Sequence, residues 1–331
     1  TMAKTGKKRL IKFWKYYEQW YMTYKVNSVR GVTTAKYKLV LKWLKKLAPD
    51  LILGDMTRED LQMLINVYGQ THQKATVLDF YHHIAAAIDD AVYEGWITGK
   101  NPNHKIKITS MVQPDNKGPK YLEMDEVRKL EKVFKKDQIG WGDFFDFSLR
   151  TGTRFAEALG ITPKDVDMDN MTIYINKTFN YKSKKYGSDE YGKFMPTKNK
   201  YSVRMIKIDY KTLMDLQKHM EGLEPDEPIW PTWYASISKP SPVYGEPRIF
   251  NSTFNNKLER MCWEAGVHRV TVHGLRHTHA SILIANRVSI QSVAKRLGHG
   301  DTETTQRVYI HLLDELAQED DNKIMTVMAG I

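Results

Sequence analysis

Apolar and aromatic residues in the first part of the chain recur at three- and four-residue steps. Phe13, Tyr16, Tyr17, Trp20, Tyr21 and Tyr24 fall on one face of a helix expected from about residue 8 to residue 25, with most of these rings in a core. Thr33 or Thr34 predicts the N-cap of a second helix, with Tyr37, Val40, Leu41, Leu44 and Leu47 on one side and lysines on the other. Thr57, with Asp60 three residues later, has the form of a capping box opening a third. A longer run, about Thr71 to Glu94, turns Val77, Phe80, Tyr81, Ile84, Ala87, Ile88 and Val92 inward. Four such segments predict a helical bundle.

Residues 96–120 are rich in Pro, Gly, Asn and Lys and lack a helical period, which predicts a boundary. The expected layout is a helical domain over 1–112, a linker over 113–120, a second domain over 121–312 and a tail over 313–331. Helices are expected over Met124–Lys135, from about Gly142 to Thr151, over Lys211–Met220 and over Ser252–Ala265. Met171–Phe179 alternates Ile173 and Ile175 with polar residues; Ser202–Ile208 does so less evenly with Val203, Met205, Ile206 and Ile208. A charged insertion, 181–193, separates these strand-like runs, and the Pro-rich stretch 224–247 reads as a long loop. The fold class is therefore mostly α with a small antiparallel sheet: an N-terminal helical bundle followed by a mixed α/β domain.

The 331 residues carry a net charge of +11, and a basic chain of ordinary globular composition points to a polyanion. Thirteen Lys or Arg face two carboxylates in the first fifty residues. On the first two helices, Lys12, Lys15, Lys36, Lys38, Lys42 and Lys45 are the candidate phosphate contacts. The single Cys262 excludes an internal disulfide and a multi-cysteine zinc site, and fits a reducing cytoplasm. No apolar run reaches membrane-span length and the start lacks a signal-peptide core. Gly95–Lys100 has too few intervening residues for a phosphate loop, and Asn101 stands where Ser or Thr is required, so an NTPase is rejected.

Between Thr271 and Leu312 the chain concentrates His273, Arg276, His299 and Tyr309. Arg is a planar fork matched to phosphate, His moves protons near neutral pH, and Tyr can be a covalent nucleophile. Together they suggest phosphoryl transfer. H-G-L-R-H at 273–277, L-G-H at 297–299 and Tyr309 ten residues after His299 resemble the tyrosine recombinase, or phage integrase, family. T-G-T-R-F-A-E-A-L-G at 151–160 resembles its first arginine motif, with Glu157 as the acidic neighbour of Arg154. The resemblance is strong over about 120–312. Upstream, a four-helix layout resembles the family's core-DNA-binding domain far less specifically.

The resemblance implies that Arg154 and Arg276 clamp the scissile phosphate and that Tyr309 attacks it, leaving a 3′-phosphotyrosine that conserves bond energy without ATP or metal. His273 and His299 would serve as proton acceptor and phosphate hydrogen-bonding group, with His273 favoured as the acceptor. Lys198, in P-T-K-N-K on the turn between the strand runs, would protonate the departing 5′ oxygen. Glu157 would orient Arg154. No cofactor is implied. The implied partners are double-stranded DNA recombination sites, three further copies of the chain in a tetramer working through a Holliday junction, and accessory DNA-bending or excision proteins. The motif style is that of integrases of temperate phages and integrative elements, which often carry an additional arm-binding domain; Thr1 preceding Met2 leaves the natural start open. The tail after Tyr309, acidic and then apolar, is expected to dock on a neighbouring protomer.

Each residue also has a plainer reading. Arg154 could simply pair with Glu157, Tyr309 could be a core aromatic, and His273 and His299 could be structural. His277 and His279 invite a metal reading, but no third ligand is evident and the i, i+2 step diverges on a helix. His82, His83 and His311 read as structural or surface residues. Two rival functions stand beside the recombinase: a type IB topoisomerase, which would relax plasmids without exchange, and a non-catalytic helical DNA-binding regulator, which has no use for Tyr309.

Overall fold

The computed structural model describes residues 10–26, 31–113, 119–182, 191–303, 305, 306, 309 and 324–329, with the side chains of 31 and 32 excepted. The chain divides into two compact units, 1–116 and 117–331.

The first unit holds four helices: α1 (Phe13–Tyr24), α2 (Gly31–Leu47), α3 (Arg58–Gly69) and α4 (Lys74–Tyr93). α1 buries Phe13, Tyr16, Tyr17, Trp20 and Tyr21, while Tyr24 stays exposed. Lys8 and Arg9, expected in its first turn, lie outside the described residues. α2 begins ahead of the expected cap, so Thr33 and Thr34 lie inside its first turn. Thr57 and Asp60 make both hydrogen bonds of the capping box at 3.1 and 2.9 Å. Trp20 donates to Asp90 at 2.6 Å and ties α1 to α4. Tyr68 stacks between His72 and Phe80 at 3.9 and 4.1 Å, joining α3 to α4. Fully buried Leu44, Leu61, Ile65 and Ile84 fill the middle, at about 1.5–3 kcal/mol each.

The second unit opens with α5 (Met124–Lys136) and α6 (Trp141–Thr151), then the short α7 (Phe155–Ala158). Glu126 accepts from the Glu123 amide at 2.9 Å, satisfying a free donor at the start of α5. Two small antiparallel sheets follow, where one is expected from the sequence. In the first, β2 (Thr172–Ile175) lies between β1 (Val166–Asp167) and β5 (Arg204–Lys207); the second pairs β3 (Lys177–Phe179) with β4 (Phe194–Pro196). The run Met171–Phe179 splits at Asn176 because Asn176 and Lys177 both turn onto Asp165, redirecting the chain to a new partner. In β5 the inward phase belongs to Arg204 and Ile206, while Val203 and Met205 face outward. An arginine occupies a core position there because Glu157 meets it.

α8 (Tyr210–Met220), α9 (Ile229–Ile237), α10 (Asn251–Glu264), α11 (Val272–Ala285) and α12 (Ile290–Leu297) complete the unit. α9 corrects the loop expected over 224–247. Pro228 is its N-cap and Pro231 sits in the first turn, where no amide donor is needed. Its Ile229, Trp230, Trp233 and Tyr234 form an inward stripe. Trp230 and Phe254 meet Phe144 edge to face at 5.3 and 4.9 Å, so α6 is sheathed in aromatic rings. The described positions from 302 to 309 are helical, as are 324–329, and His311 lies outside the described residues.

Candidate active site

Two glycines that end helices organise the site. Gly152 closes α6 and Gly298 closes α12, with φ of 64° and 71°, the left-handed conformation that glycine adopts without a Cβ penalty. Each turn leaves helix C-terminal carbonyls unpaired and carrying partial negative charge. The arginines take them.

Arg276, on α11, is buried with 4% exposure, so its fork must find partners inside the protein. One arm donates to the Gly152 carbonyl at 2.7 Å and the other to the Leu297 carbonyl at 2.7 Å. Burial first, then the charge of Arg154, push its pKa down to about 9, which leaves it cationic at neutral pH. Among the described residues it makes no ion pair.

Arg154 enters between Gly152 and α7. Its Nη1 donates to Glu157 at 2.6 Å and its Nη2 to the Gly298 carbonyl at 3.2 Å. Ser202 Oγ, 3.3 Å from Nη1, also accepts. Glu157 is 2% exposed. It accepts from the Arg154 amide at 3.1 Å and from Arg204 at 3.0 Å. Burial would raise its pKa, but Arg204 and Arg154 outweigh it and hold the carboxyl below its usual range. Two guanidiniums pair with this one carboxylate and the charge of Arg276 also reaches it, and the surplus positive charge favours an anion. Pairing with Glu157 and phosphate binding are compatible for Arg154, because the carboxylate fixes the fork.

The geometry determines the protonation of His299. Its Nε2 lies 3.0 Å from Arg276 Nη2, and arginine can only donate, so Nε2 accepts and the ring is neutral. Nδ1 then donates to Thr305 Oγ1 at 2.7 Å. Burial, followed by Arg276, Arg154 and Arg204, lowers its pKa to about 4. His273 keeps an edge open to solvent. The desolvation it does undergo, then Arg276, Arg154 and Lys120, hold it below the usual histidine value.

Tyr309 is 2% exposed and packs against Ala280, Ile284, Val293 and Leu297. Burial pushes its phenol up to about 12 although Arg276 pulls the other way. Its hydroxyl lies 3.0 Å from His277 Nδ1. His277 closes the H-G-L-R-H motif but receives no catalytic role from the sequence, and its spacing of four from His273, one helical turn, is the available signal: the two rings meet at 4.8 Å. His279 points elsewhere, accepting from Arg296 at 2.9 Å. Among the described residues no group of three or more His, Cys, Asp or Glu could hold a metal ion.

Lys198 lies two residues beyond β4, exposed, on the segment leading to Ser202. Asn199 accepts from the Ser202 amide at 3.0 Å and fixes that segment beside Arg154. Its neighbour Lys200 sits over the Tyr201 ring at 5.1 Å. Sequence reasoning also misses Arg204, whose sign is a charged residue in the buried phase of a strand.

Of the six candidate phosphate lysines in the first unit, Lys12, Lys36 and Lys45 pair with Asp50, Asp79 and Glu18 at 2.8, 2.9 and 3.1 Å. Exposed pairs of this kind contribute about 0–1 kcal/mol, so a phosphate can compete for them. Lys15 lies 5.4 Å from the Trp14 ring centre. Lys38 and Lys42 are exposed one helical turn apart on α2. Among the described residues no helix is long and apolar enough to cross a membrane.

The Phage integrase family profile matches residues 120–315. The chain is 26% identical over 322 residues to the integrase of Staphylococcus phage L54a, covering 91% of this chain and 88% of that one. It is 25% identical to the ICEBs1 integrase of Bacillus subtilis (strain 168), covering 73% of this chain and 62% of that one. The Tn1549 transposon integrase, solved in complex with a circular intermediate DNA, superposes with a TM-score of 0.72 at 15% identity, over 90% of this chain and 95% of that one. A lambda integrase dimer bound to a COC′ core site gives 0.63 at 17%, over 93% and 79%. These likenesses to solved structures establish the fold. The chain belongs to the phage integrase family: it is a tyrosine recombinase of the phage and integrative-element type, an enzyme of site-specific DNA recombination.

Proposed function

We propose that Arg154 and Arg276 hold the two nonbridging oxygens of a DNA phosphate while Tyr309 attacks it. A phosphodiester under attack gains negative charge on those oxygens, and preorganised cationic donors stabilise it without reorganising. The observation that carries this reading is the buried Arg276 fork, pinned by the Gly152 and Leu297 carbonyls at 2.7 Å and lacking a carboxylate of its own among the described residues. Glu157 orients Arg154. Lys198 supplies the proton to the departing 5′ oxygen, His273 is the family pattern's proton acceptor for Tyr309, and His299 steadies the Arg276 fork against the phosphate. The 3′-phosphotyrosine stores the bond energy, so a second strand's 5′-hydroxyl reverses the step without ATP.

On this reading the helical unit lays Lys15, Lys38 and Lys42, with Lys12, Lys36 and Lys45, along the phosphates of a recombination site. Four protomers exchange strands between two duplexes in the bacterial cytoplasm, integrating or excising a mobile element. A lambda integrase tetramer bound to a Holliday junction supports that assembly, with a TM-score of 0.61. The exposed Ile324, Met325, Val327 and Met328 of the tail supply an apolar face for a neighbouring protomer. A plasmid bearing two copies of the element's end site tests the activity: exchange of the flanking segments is expected, whereas relaxation without exchange would support a type IB topoisomerase and binding alone a regulator.

A further inference from the structure

The roles above leave the Tyr309 phenolic proton to a histidine chosen by family resemblance, and the geometry chooses differently. His299 has both ring nitrogens engaged, by Arg276 at 3.0 Å and Thr305 at 2.7 Å. His277 Nδ1 stands 3.0 Å from the Tyr309 hydroxyl. His273 stands one turn back, in ring contact with His277. On α11, Arg276 and His277 are consecutive and diverge by about 100°. The first reaches the helix-end carbonyls and the second reaches the nucleophile.

We propose that His277 is the proton acceptor for Tyr309, an assignment that rests on the tyrosine-nucleophile reading above. In cleavage the phenolic oxygen bonds to phosphorus, its proton passes to His277 Nδ1, the bond from phosphorus to the 5′ oxygen breaks, and that oxygen takes a proton from Lys198. In rejoining, an incoming 5′-hydroxyl gives its proton to Lys198 and bonds to phosphorus. His277 returns its proton to the departing phenolic oxygen.

The surroundings suit an acceptor that is empty before DNA arrives. The charged or titratable groups acting on His277 are His273, Arg276 and Lys120, with Tyr309 in direct contact; burial first and then His273, Arg276 and Lys120 lower its pKa to about 4. The ring is therefore neutral at pH 7. A phosphate anion on the Arg154–Arg276 clamp offsets those cationic charges and makes the ring a stronger base. The phenol becomes more acidic as its oxygen bonds to phosphorus, so proton transfer becomes favourable within the step.

Two variants and two substrates test this. His277→Phe removes the nitrogen; His277→Asn keeps an acceptor near the Nδ1 position that cannot carry the proton. With a nicked duplex built on the end sequence of the protein's own element, both variants should form the covalent adduct about 10²–10³-fold more slowly than wild type while shifting the duplex normally in gels. In a Tyr309→Phe background, a strand ending in a 3′-(p-nitrophenyl) phosphate loses an aryl oxide that needs no proton. Its joining to a free 5′-hydroxyl should be the same with and without His277→Asn.

Adduct formation by His277→Asn within about threefold of wild type would reduce His277 to a positioning residue. Equal loss in the p-nitrophenyl joining would place it in the phosphate clamp, and in either case the proposal falls. A wild-type protein that forms no adduct would overturn the nucleophile reading itself, and this role with it.

Discussion

Arg276 donates to the carbonyl of Gly152 at 2.7 Å, fastening the buried guanidinium to a position that only glycine occupies comfortably. A Cβ at Gly152 would lie 2.5 Å from the His279 ring, in addition to the strain of its positive φ. Gly222 has a similar φ of 78° with nothing within 4 Å of its Cβ position. Gly222→Ala should therefore cost about 1 kcal/mol in urea unfolding, and Gly152→Ala roughly 2–4. Only the latter should also slow adduct formation. Equal costs would mean that the ring moves aside freely.

Glu157 links Arg154 and Arg204 from a buried position. Breaking such a link leaves uncompensated buried charge, so Glu157→Gln should destabilise the protein by about 3 kcal/mol at pH 7. Because the folded pKa is lowered, the stabilisation is fully present above the ordinary carboxylate value and is lost as pH falls through the folded one. Urea midpoints of wild type and variant should converge on acidification from pH 7 toward 3. A gap that stays constant would contradict this.

His279 is 6% exposed and accepts from Arg296, so it must be neutral in the fold. Burial first and Arg296 second lower its pKa to about 3. The unfolded chain then binds the extra proton from about pH 6.5 downward, and stability falls as pH drops through that window. Between pH 7 and 5 the loss should be about 2 kcal/mol from this group. His279→Gln should flatten that slope in denaturation midpoints measured across the window.

The hydroxyl of Tyr17 is buried in the aromatic face of α1 with no hydrogen-bond partner among the described residues. Leaving such a group unsatisfied costs about 1–3 kcal/mol. Tyr17→Phe should raise the melting temperature of the helical unit, and a fall would show that the hydroxyl has a partner.

Lys38 and Lys42 stand exposed one turn apart on α2. If they contact DNA phosphates, each replacement by Ala should lower the slope of log K against log salt by about 0.9, with little effect on sequence preference. A slope unchanged in the double variant would remove this face of α2 from the DNA interface.

The helices were legible because their determinants are local. The Thr57–Asp60 pair and the aromatic steps of α1 depend on residues three or four apart. α9 was hidden because Pro228 and Pro231 look like breakers, although both sit where a helix needs no amide donor. Arg204 concealed the inward phase of β5, since only its ion pair with Glu157, 47 positions away, allows a charge there. The candidate reacting residues announce themselves by their motifs. The groups that hold them do not: the Gly152 and Leu297 carbonyls carry no side-chain signature, and His277 meets Tyr309 32 positions later in the chain.

The central claim is that Tyr309 becomes covalently joined to DNA. The most direct measurement is to trap protein on a nicked duplex in which the short downstream fragment, released with a 5′-hydroxyl, diffuses away, digest with trypsin, and locate the nucleotide by mass spectrometry. The account predicts a 3′-phosphate ester on the peptide containing Tyr309, absent from Tyr309→Phe. An adduct that persists in Tyr309→Phe, or cleavage that leaves free 3′-hydroxyl ends, would contradict it.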